Sequence, residues 1–376
     1  MKLYRSRYEF SIMFKSITVK NFRCFEDLTI SQIERVNLIG GMNNIGKTAL
    51  LEAIYLMTSL GSMEIPLKLN FDRGVFSPRT FDVEEICEWL FYQKKANKAI
   101  KIQVIDEQDI KSELKLSLEK AASPRLFPLT LTSHRRKTLK DLKLEFKIGD
   151  QKPLQFTMFL APDKEEPDTP RLGIVNQDES PEDLEIPTFS PSYFISSRLR
   201  ISPTEDAERF SFLEAQNKQD EIVEILKILE PRLKRLSVLV TGGVPMINGD
   251  IGGNYLIPVS LMGEGMSRLL SMVLSIMNAS GGTVLIDEIE NGIHYSVMAK
   301  IWESIAAASE RFNTQIFATT HSQECINSAH EAFENLASYD FRYFRLERKP
   351  ETNFIQAAIY EQENIETSIA LNLEMR

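Results

Sequence analysis

The stretch "GMNNIGKT", Gly41 to Thr48, follows the pattern G-x-x-x-x-G-K-[ST]. A strand-like run, Val36 to Ile39, precedes it and a helical pattern follows, which is the context this pattern requires. Glycines let the backbone approach closely, so that successive N–H groups can wrap a triphosphate, and the positive end of the following helix adds to the pull on an anion. Lys47 is expected to reach the β and γ phosphates and Thr48 to hold Mg²⁺. Gly41, Asn43, Asn44, Gly46 and Ala49 complete the expected nucleotide cradle. A chance match in a chain of this length is on the order of 1%. The loop points to nucleotide binding without saying which reaction follows.

Two further stretches narrow the chemistry. "TVLIDEIENG", residues 283–292, is an apolar run ending in two carboxylates. Asp287 at the strand end suits direct or water-mediated Mg²⁺ binding, and Glu288, pointing elsewhere, suits polarising an attacking water. The bland alternative is an ordinary strand end. "QIFATTHS", residues 315–322, is another apolar run, ending in His321. An imidazole there can contact a γ-phosphate and orient the nucleophile; its bland alternative is packing. Parallel strands would bring Lys47–Thr48, Asp287–Glu288 and His321 to one sheet edge, where α/β sheets bind ligands. Asp287 lies 239 residues after Thr48, so something large is inserted between them.

The patterning of the rest says what must position these groups. Residues 14–30 alternate and are rich in β-branched and aromatic types, as two strands about a turn would be. Residues 81–94 read as an amphipathic helix. From 98 to 160, short alternating runs separated by charged loops predict an antiparallel sheet. Residues 162–187 are acidic and Pro-rich, as in an exposed, mobile linker. Residues 203–235 read as helical, interrupted at Pro231, and "LSVLV", "VPMING" and "YLIPVS" read as strands. The last third alternates strand and helix, which predicts a mostly parallel α/β sheet. The organisation expected is one α/β head over 1–376: a β-rich insert at 61–190, a helical subdomain at 200–282 and a C-terminal part at 283–376.

Composition sets outer limits. The chain has 376 residues, 43% hydrophobic and 26% charged, with a net charge of −9. No apolar run reaches the ~18 residues of a membrane span, and the polar first residues do not resemble a signal peptide; a cytoplasmic protein is expected, with Met13 as an alternative start. Three scattered cysteines, Cys24, Cys87 and Cys325, suit a reducing compartment. The acidic balance argues against a surface coated for nucleic acid. Two basic clusters, 134–143 and 231–236, leave nucleic-acid binding open beside the plainer reading of solvated edges.

In order and spacing, "ITVKNFRCFEDLTI", "GMNNIGKTALLEAI", "LMGEGMSRLL", "VLIDEIENGIH" and "FATTHS" resemble the ABC-type ATPase heads of the RecF, SMC and OLD group. The chain is most similar to OLD-like and abortive-infection-like AAA-type ATPases of prokaryotic anti-phage systems, with the Asn-Asn loop, the G-x-G signature and an ending like "NIETSIALNLEMR". The resemblance covers 14–60 and 190–376; residues 61–190 match in architecture only.

The resemblance implies an ABC-type head with a P-loop sheet, an antiparallel β-subdomain and a helical signature subdomain. Such heads bind ATP and Mg²⁺ and dimerise head to tail around two ATP molecules. The signature of one subunit meets the γ-phosphate held by the other. Ser260, Gly263, Glu264 and Gly265 fall where that signature belongs. Ser260 stands three residues before the first glycine, unlike LSGG, so Gly263–Gly265 is the firmer correspondence. "FISSRLR", residues 194–200, sits where a Gln loop is expected and lacks a Gln; Ser197 or Arg198 takes its role, or simply ends the strand. By family pattern Arg23 touches the nucleotide, or else pairs at the surface, and His294 is a packing or dimer-contact residue. OLD nucleases carry a TOPRIM domain, and the 55 residues after His321 are too few for one. The implied function is an ATPase switch, dimeric or of higher order, that controls a separate nuclease or toxin in defence. The alternative is a DNA-repair head that binds duplex DNA.

Overall fold

The computed structural model describes residues 13–60, 62–75, 83–121, 140–162, 170–176, 190–199 and 202–376. Numbered along the chain, the strands are β1 (Phe14–Phe22), β2 (Phe25–Ser31), β3 (Val36–Gly40), β4 (Ile100–Asp106), β5 (Lys111–Lys120), β6 (Lys140–Ile148), β7 (Leu154–Pro162), β8 (Pro170–Asn176), β9 (Ser192–Ile195), β10 (Arg235–Thr241), β11 (Val244–Asp250), β12 (Ile257–Pro258), β13 (Thr283–Ile286), β14 (Gln315–Thr319), β15 (Phe341–Arg348) and β16 (Ile355–Tyr360). The helices are α1 (Lys47–Thr58), α2 (Ile65–Phe71), α3 (Val83–Cys87), α4 (Pro203–Glu214), α5 (Gln219–Leu226), α6 (Glu264–Asn278), α7 (Met298–Arg311), α8 (Gln323–Glu334) and α9 (Gln362–Ala370).

Two compact units separate. The first draws on Met1–Ser31, Glu52–Phe189 and Arg348–Gln356. It holds a seven-stranded sheet in the order β2-β1-β4-β5-β6-β7-β8, antiparallel throughout. Alternation dictates its faces: in β1, Ile17 and Val19 are buried while Lys15 and Lys20 face solvent. Register places Val19 beside Leu28 on one side and Ile102 on the other, so one apolar face grows across the strands.

The second unit draws on Gln32–Leu51, Ser190–Glu347 and Ala357–Arg376. Its main sheet runs β16-β15-β3-β14-β13-β9, and β15, β3, β14, β13 and β9 pair in parallel. Every residue of β3 and β14 is buried, as expected of parallel strands covered on both faces. The buried Asn37 in β3 is satisfied by backbone: it accepts from Glu34 N at 2.9 Å and donates to Glu34 O at 2.6 Å. The core is aromatic: Trp302 of α7 meets Phe341 edge-on at 6.2 Å, and Phe341 stacks on Phe333 of α8 at 5.0 Å. A small antiparallel sheet, β10-β11-β12, also belongs to this unit.

Several expectations shift. The antiparallel sheet is not confined to the insert, because β1 and β2 open it. Pro170–Asn176, inside the span expected to be a linker, is a strand paired with β7; residues 163–169 and 177–189 lie outside the described residues. Of the helix expected over 81–94, residues 83–94 form the short α3 followed by two 3₁₀ turns; Val83, Ile86, Cys87 and Leu90 keep helical spacing and are buried, but the chain leaves helical geometry at Phe91 and Gln93, and residues 81 and 82 lie outside the described residues. The strand expected to end at Ser260 stops at Pro258, and Val259–Leu261 is a 3₁₀ turn; Pro258 has no N–H to extend a ladder. Among the described residues no helix is long and apolar enough to cross a membrane, and all three cysteines are free.

Candidate functional site

Register alone brings the chemical groups together. Ile286 pairs with Ala318, and Thr319 with Ile39. The residues that follow each strand (Gly41–Thr48, Asp287–Glu288 and Thr320–His321) therefore leave the same sheet edge side by side. The sequence folds this way locally because each strand is a short apolar run closed by a residue that cannot continue it. Gly41 and Gly46 have φ of 125° and 106°, and Asn44 has φ of 60°, values that glycine and asparagine tolerate best. A side chain at Gly41 would also lie 2.4 Å from the Leu346 carbonyl oxygen. Lys47 then begins α1.

Asp287, buried at 3% exposure, is the hub. Its Oδ1 accepts from Thr48 Oγ1 at 2.9 Å and Thr319 Oγ1 at 2.8 Å, and its Oδ2 accepts from Ser197 Oγ at 2.6 Å. A buried carboxylate is tolerable when such donors surround it. Asp287, Thr48 and Ser197 form an all-oxygen donor set, which fits a hard ion such as Mg²⁺ and not a thiophilic metal. Of the two candidates after β9, it is Ser197 whose hydroxyl reaches this carboxylate.

Lys47 Nζ donates to the carbonyls of Gly41 at 2.6 Å and Met42 at 3.0 Å, and lies 3.2 Å from His321 Nδ1. Burial pushes the Lys47 ammonium down to about 8, against the opposing pull of Asp287, Glu288 and Glu290. An ammonium can only donate, so facing Lys47 Nδ1 is the acceptor and a neutral His321 ring carries its proton on Nε2. That nitrogen sits 3.5 Å from Glu288 Oε1. The His321 backbone N–H donates to Glu290 Oε1 at 2.7 Å, which anchors the loop that carries the ring.

Glu288 has φ of 52°, a left-handed conformation that costs a non-glycine residue about 1–2 kcal/mol. Its neighbours hold it there. The Glu288 N–H donates to Thr319 Oγ1 at 2.8 Å, and its carbonyl accepts from Arg268 Nη2 at 2.8 Å. Asn291 Nδ2 donates to Glu288 Oε2 at 2.7 Å. The backbone is pinned on both sides, so the carboxylate direction is set by the scaffold.

Arg268 and Thr319 were not singled out in the sequence. Thr319 is legible in hindsight: it stands one register position beyond Ala318, opposite Asp287. Arg268 lies on α6, one turn after Glu264, and its Nη2 also donates to the Asp287 carbonyl. Burial lowers its affinity for a proton while Asp287, Glu290, Glu288 and Glu264 raise it. It ties the first turns of α6 to the acidic strand end. Only the fold shows this, since 18 residues separate it from Asp287 in a chain with 44 arginines and lysines.

The glycines at the start of α6 divide their roles. Gly263 is the exposed N-cap with φ of 118° and nothing near its missing side chain, whereas a Cβ on Gly265 would lie 2.4 Å from the Gly292 carbonyl oxygen. Gly265 thus has a packing reason within its own chain: α6 lies directly on the loop after Glu288. Gly265→Ala is expected to lower stability by about 1–3 kcal/mol through overpacking; a urea midpoint equal to or above that of the parent would refute the close approach. Ser260, Glu264, Ser197, Arg198 and Arg268 line one cavity of about 350 Å³, so the loop after β9 and the start of α6 face each other.

The remaining candidates are placed elsewhere. Arg23, in the first unit, is 10% exposed; its Nε pairs with Glu52 at 3.0 Å and its Nη1 donates to Asn70 Oδ1 at 2.7 Å, while Nη2 is buried with no hydrogen-bond partner among the described residues. Arg73 meets the same Glu52 at 2.6 Å. His294 caps a 3₁₀ turn, with Nδ1 2.8 Å from Ser296 Oγ, and packs on Tyr295. Of the basic clusters, residues 134–139 lie outside the described residues; Lys140 pairs with Glu84, Arg232 with Glu230 and Arg235 with Asp250.

Comparison with known proteins adds a lineage. A family model described as "AAA domain, putative AbiEii toxin, Type IV TA system" matches residues 36–327. A Helicobacter pylori protein named ATP/GTP phosphatase is 23% identical over 371 residues, which span 94% of this chain and 97% of the relative. Among solved structures, an SMC head bound to the C-terminal winged-helix domain of ScpA is similar over 94% of this chain and 99% of that chain, at 10% identity and a TM-score of 0.48. The SMC head domain from Thermotoga maritima is similar over 93% of this chain and 100% of that chain, at 10% identity and a TM-score of 0.42.

Proposed function

Because the chain belongs to the family of AAA domains described as putative AbiEii toxins of type IV toxin–antitoxin systems, we propose that it is an ATP-gated dimeric switch that hydrolyses ATP. The observation that carries this reading is the convergence of Lys47, Thr48, Asp287, Glu288 and His321 at one edge of the parallel sheet, with the exposed start of α6 in the same unit. Lys47 trades the Gly41 and Met42 carbonyls for the β and γ phosphates, and the N–H groups of 43–49 cradle the rest. Thr48 and Asp287 hold Mg²⁺, with Ser197 orienting Asp287. Bound there, Mg²⁺ neutralises charge on the phosphate oxygens. Glu288 takes a proton from the attacking water, and His321 Nε2–H meets the γ-phosphate.

Residues Ser260 and Gly263–Gly265 of a second copy supply the other wall of the site, head to tail. The output passes to a separate effector, a nuclease or toxin, in defence against phage. The duplex-DNA reading has less support, since Lys140, Lys143, Arg232 and Arg235 of the two basic clusters have acidic partners. Static light scattering tests the switch: Glu288→Gln with ATP and Mg²⁺ should run as a dimer and without ATP as a monomer. A variant that stays monomeric at saturating ATP sinks the proposal.

A further inference from the structure

Far along α8 from His321, the second unit holds a group that the nucleotide site does not use. One imidazole nitrogen of His330 and one carboxylate oxygen from each of Glu334 and Glu366 lie within 4.8 Å of one another. His330 and Glu334 are spaced i, i+4 on α8 and so share a helix face, and Glu366 comes from α9. We propose that these three residues form a binding site for a divalent transition-metal ion of the Zn²⁺ class, which clamps α8 to α9.

Three observations carry it. First, His330 is buried, with its side chain 7% exposed, and its Nδ1 lies 2.8 Å from the Tyr339 hydroxyl. The other nitrogen, Nε2, has no hydrogen bond among the described residues and points at Glu334 Oε2 from 3.9 Å. A metal-bound imidazole has this arrangement, one nitrogen free for the ion and the other held by an outer partner that fixes the ring. With Nε2 left for the ion, Nδ1 carries the ring proton and donates it to the Tyr339 hydroxyl oxygen.

Second, the two carboxylates lack a cation. Among the described residues the only basic side chain within 4.0 Å of Glu334 is the His330 ring, at 3.9 Å, and Glu366 accepts only from Gln362 Nε2, at 2.8 Å. The nearby Arg342 is taken by Glu34 at 2.9 Å and Glu361 at 3.6 Å. Two carboxylates this close call for a positive charge between them.

Third, the geometry is within reach. Tetrahedral zinc with bonds of about 2.0–2.1 Å holds its ligands about 3.4 Å apart. Glu334 and Glu366 are exposed and can close gaps of up to 4.8 Å by side-chain rotation to meet that spacing, a change of at most about 1.4 Å, while His330 stays fixed. One nitrogen and two oxygens favour Zn²⁺ or Co²⁺ over Mg²⁺, and the fourth position faces water.

The test is a Co²⁺ titration of the full-length, nucleotide-free chain after chelator treatment, followed by visible absorption and competed with Zn²⁺. One Co²⁺ per chain is expected, displaced by Zn²⁺. Glu366→Gln, an exposed change that leaves the core intact, should weaken binding at least 10-fold, and Tyr339→Phe about 10-fold or more through loss of the ring's orienting partner. Asp287→Asn should leave the titration unchanged. Equal affinity in Glu366→Gln, loss of the signal in Asp287→Asn, or no binding below 100-fold molar excess would each overturn the assignment.

Discussion

Glu288→Gln should cut the rate of ATP hydrolysis by about 10²–10⁴-fold, the usual contribution of a positioned general base, while ATP still binds. The size of the effect follows from the preorganisation around this residue. The Glu288 backbone is held left-handed by Thr319 on one side and Arg268 on the other, and glutamine keeps every one of those contacts. Asn291 Nδ2 can donate to a glutamine oxygen as it does to the carboxylate at 2.7 Å. What is lost is the ability to take a proton. Single-turnover hydrolysis and equilibrium nucleotide binding, measured on the same preparation, separate the two effects. If turnover survived within a few-fold, Glu288 would be a structural acid and the base would have to be sought elsewhere.

Lys47→Ala should weaken ATP binding by about 10²–10⁴-fold, on the reckoning that two charge-assisted hydrogen bonds contribute about 1.5–3 kcal/mol each. The buried ammonium meets only carbonyls and an imidazole at contact distance, and burial holds it down at about 8. Its ordinary value is 10.5, so above pH 8 the free protein carries Lys47 largely neutral. Phosphate oxygens favour the charged form and raise it again. Binding should therefore take up a proton between about pH 8 and 10, and affinity should fall as pH rises through that window. Titration calorimetry in buffers of different ionisation enthalpy reads the proton directly. No uptake at pH 9 would mean that Lys47 does not meet the phosphates. The same shift has a stability consequence. The unfolded chain holds this proton up to pH 10.5 and the fold only to about 8, so this group's contribution favours the fold less as pH falls through that interval.

Much of the candidate site is legible in the sequence. The phosphate loop, the acidic strand end and His321 were each marked by an apolar run that stops abruptly, and parallel pairing then leaves them little choice but to be neighbours. The last third of the fold was legible for the same reason: strands buried on both faces read as unbroken apolar runs. What could not be read depended on side chains meeting from distant elements. Arg268 resembles any helical arginine until α6 is docked on the loop after Glu288. Gly265 was expected to serve a partner's phosphate, and its contact with Gly292 lies between two segments whose spacing does not signal proximity. Strand β8 was hidden in an acidic, Pro-rich stretch, because pairing with β7 overrides weak local preference. The strand expected to run to Ser260 stops two residues short, because Pro258 ends the ladder.

The order of strands in the main sheet also bears on how the chain is made. β3 lies between β14 and β15, and its partners begin at Gln315 and Phe341. A ribosome adding about 5–20 residues per second would leave this buried, mostly apolar pentapeptide without either neighbour for roughly 15–55 seconds. The phosphate loop that it carries cannot take shape until almost the whole chain has emerged. Nascent-chain truncations ending before Gln315 should therefore be bound by chaperones and fail to retain nucleotide, although they already contain every residue of the loop.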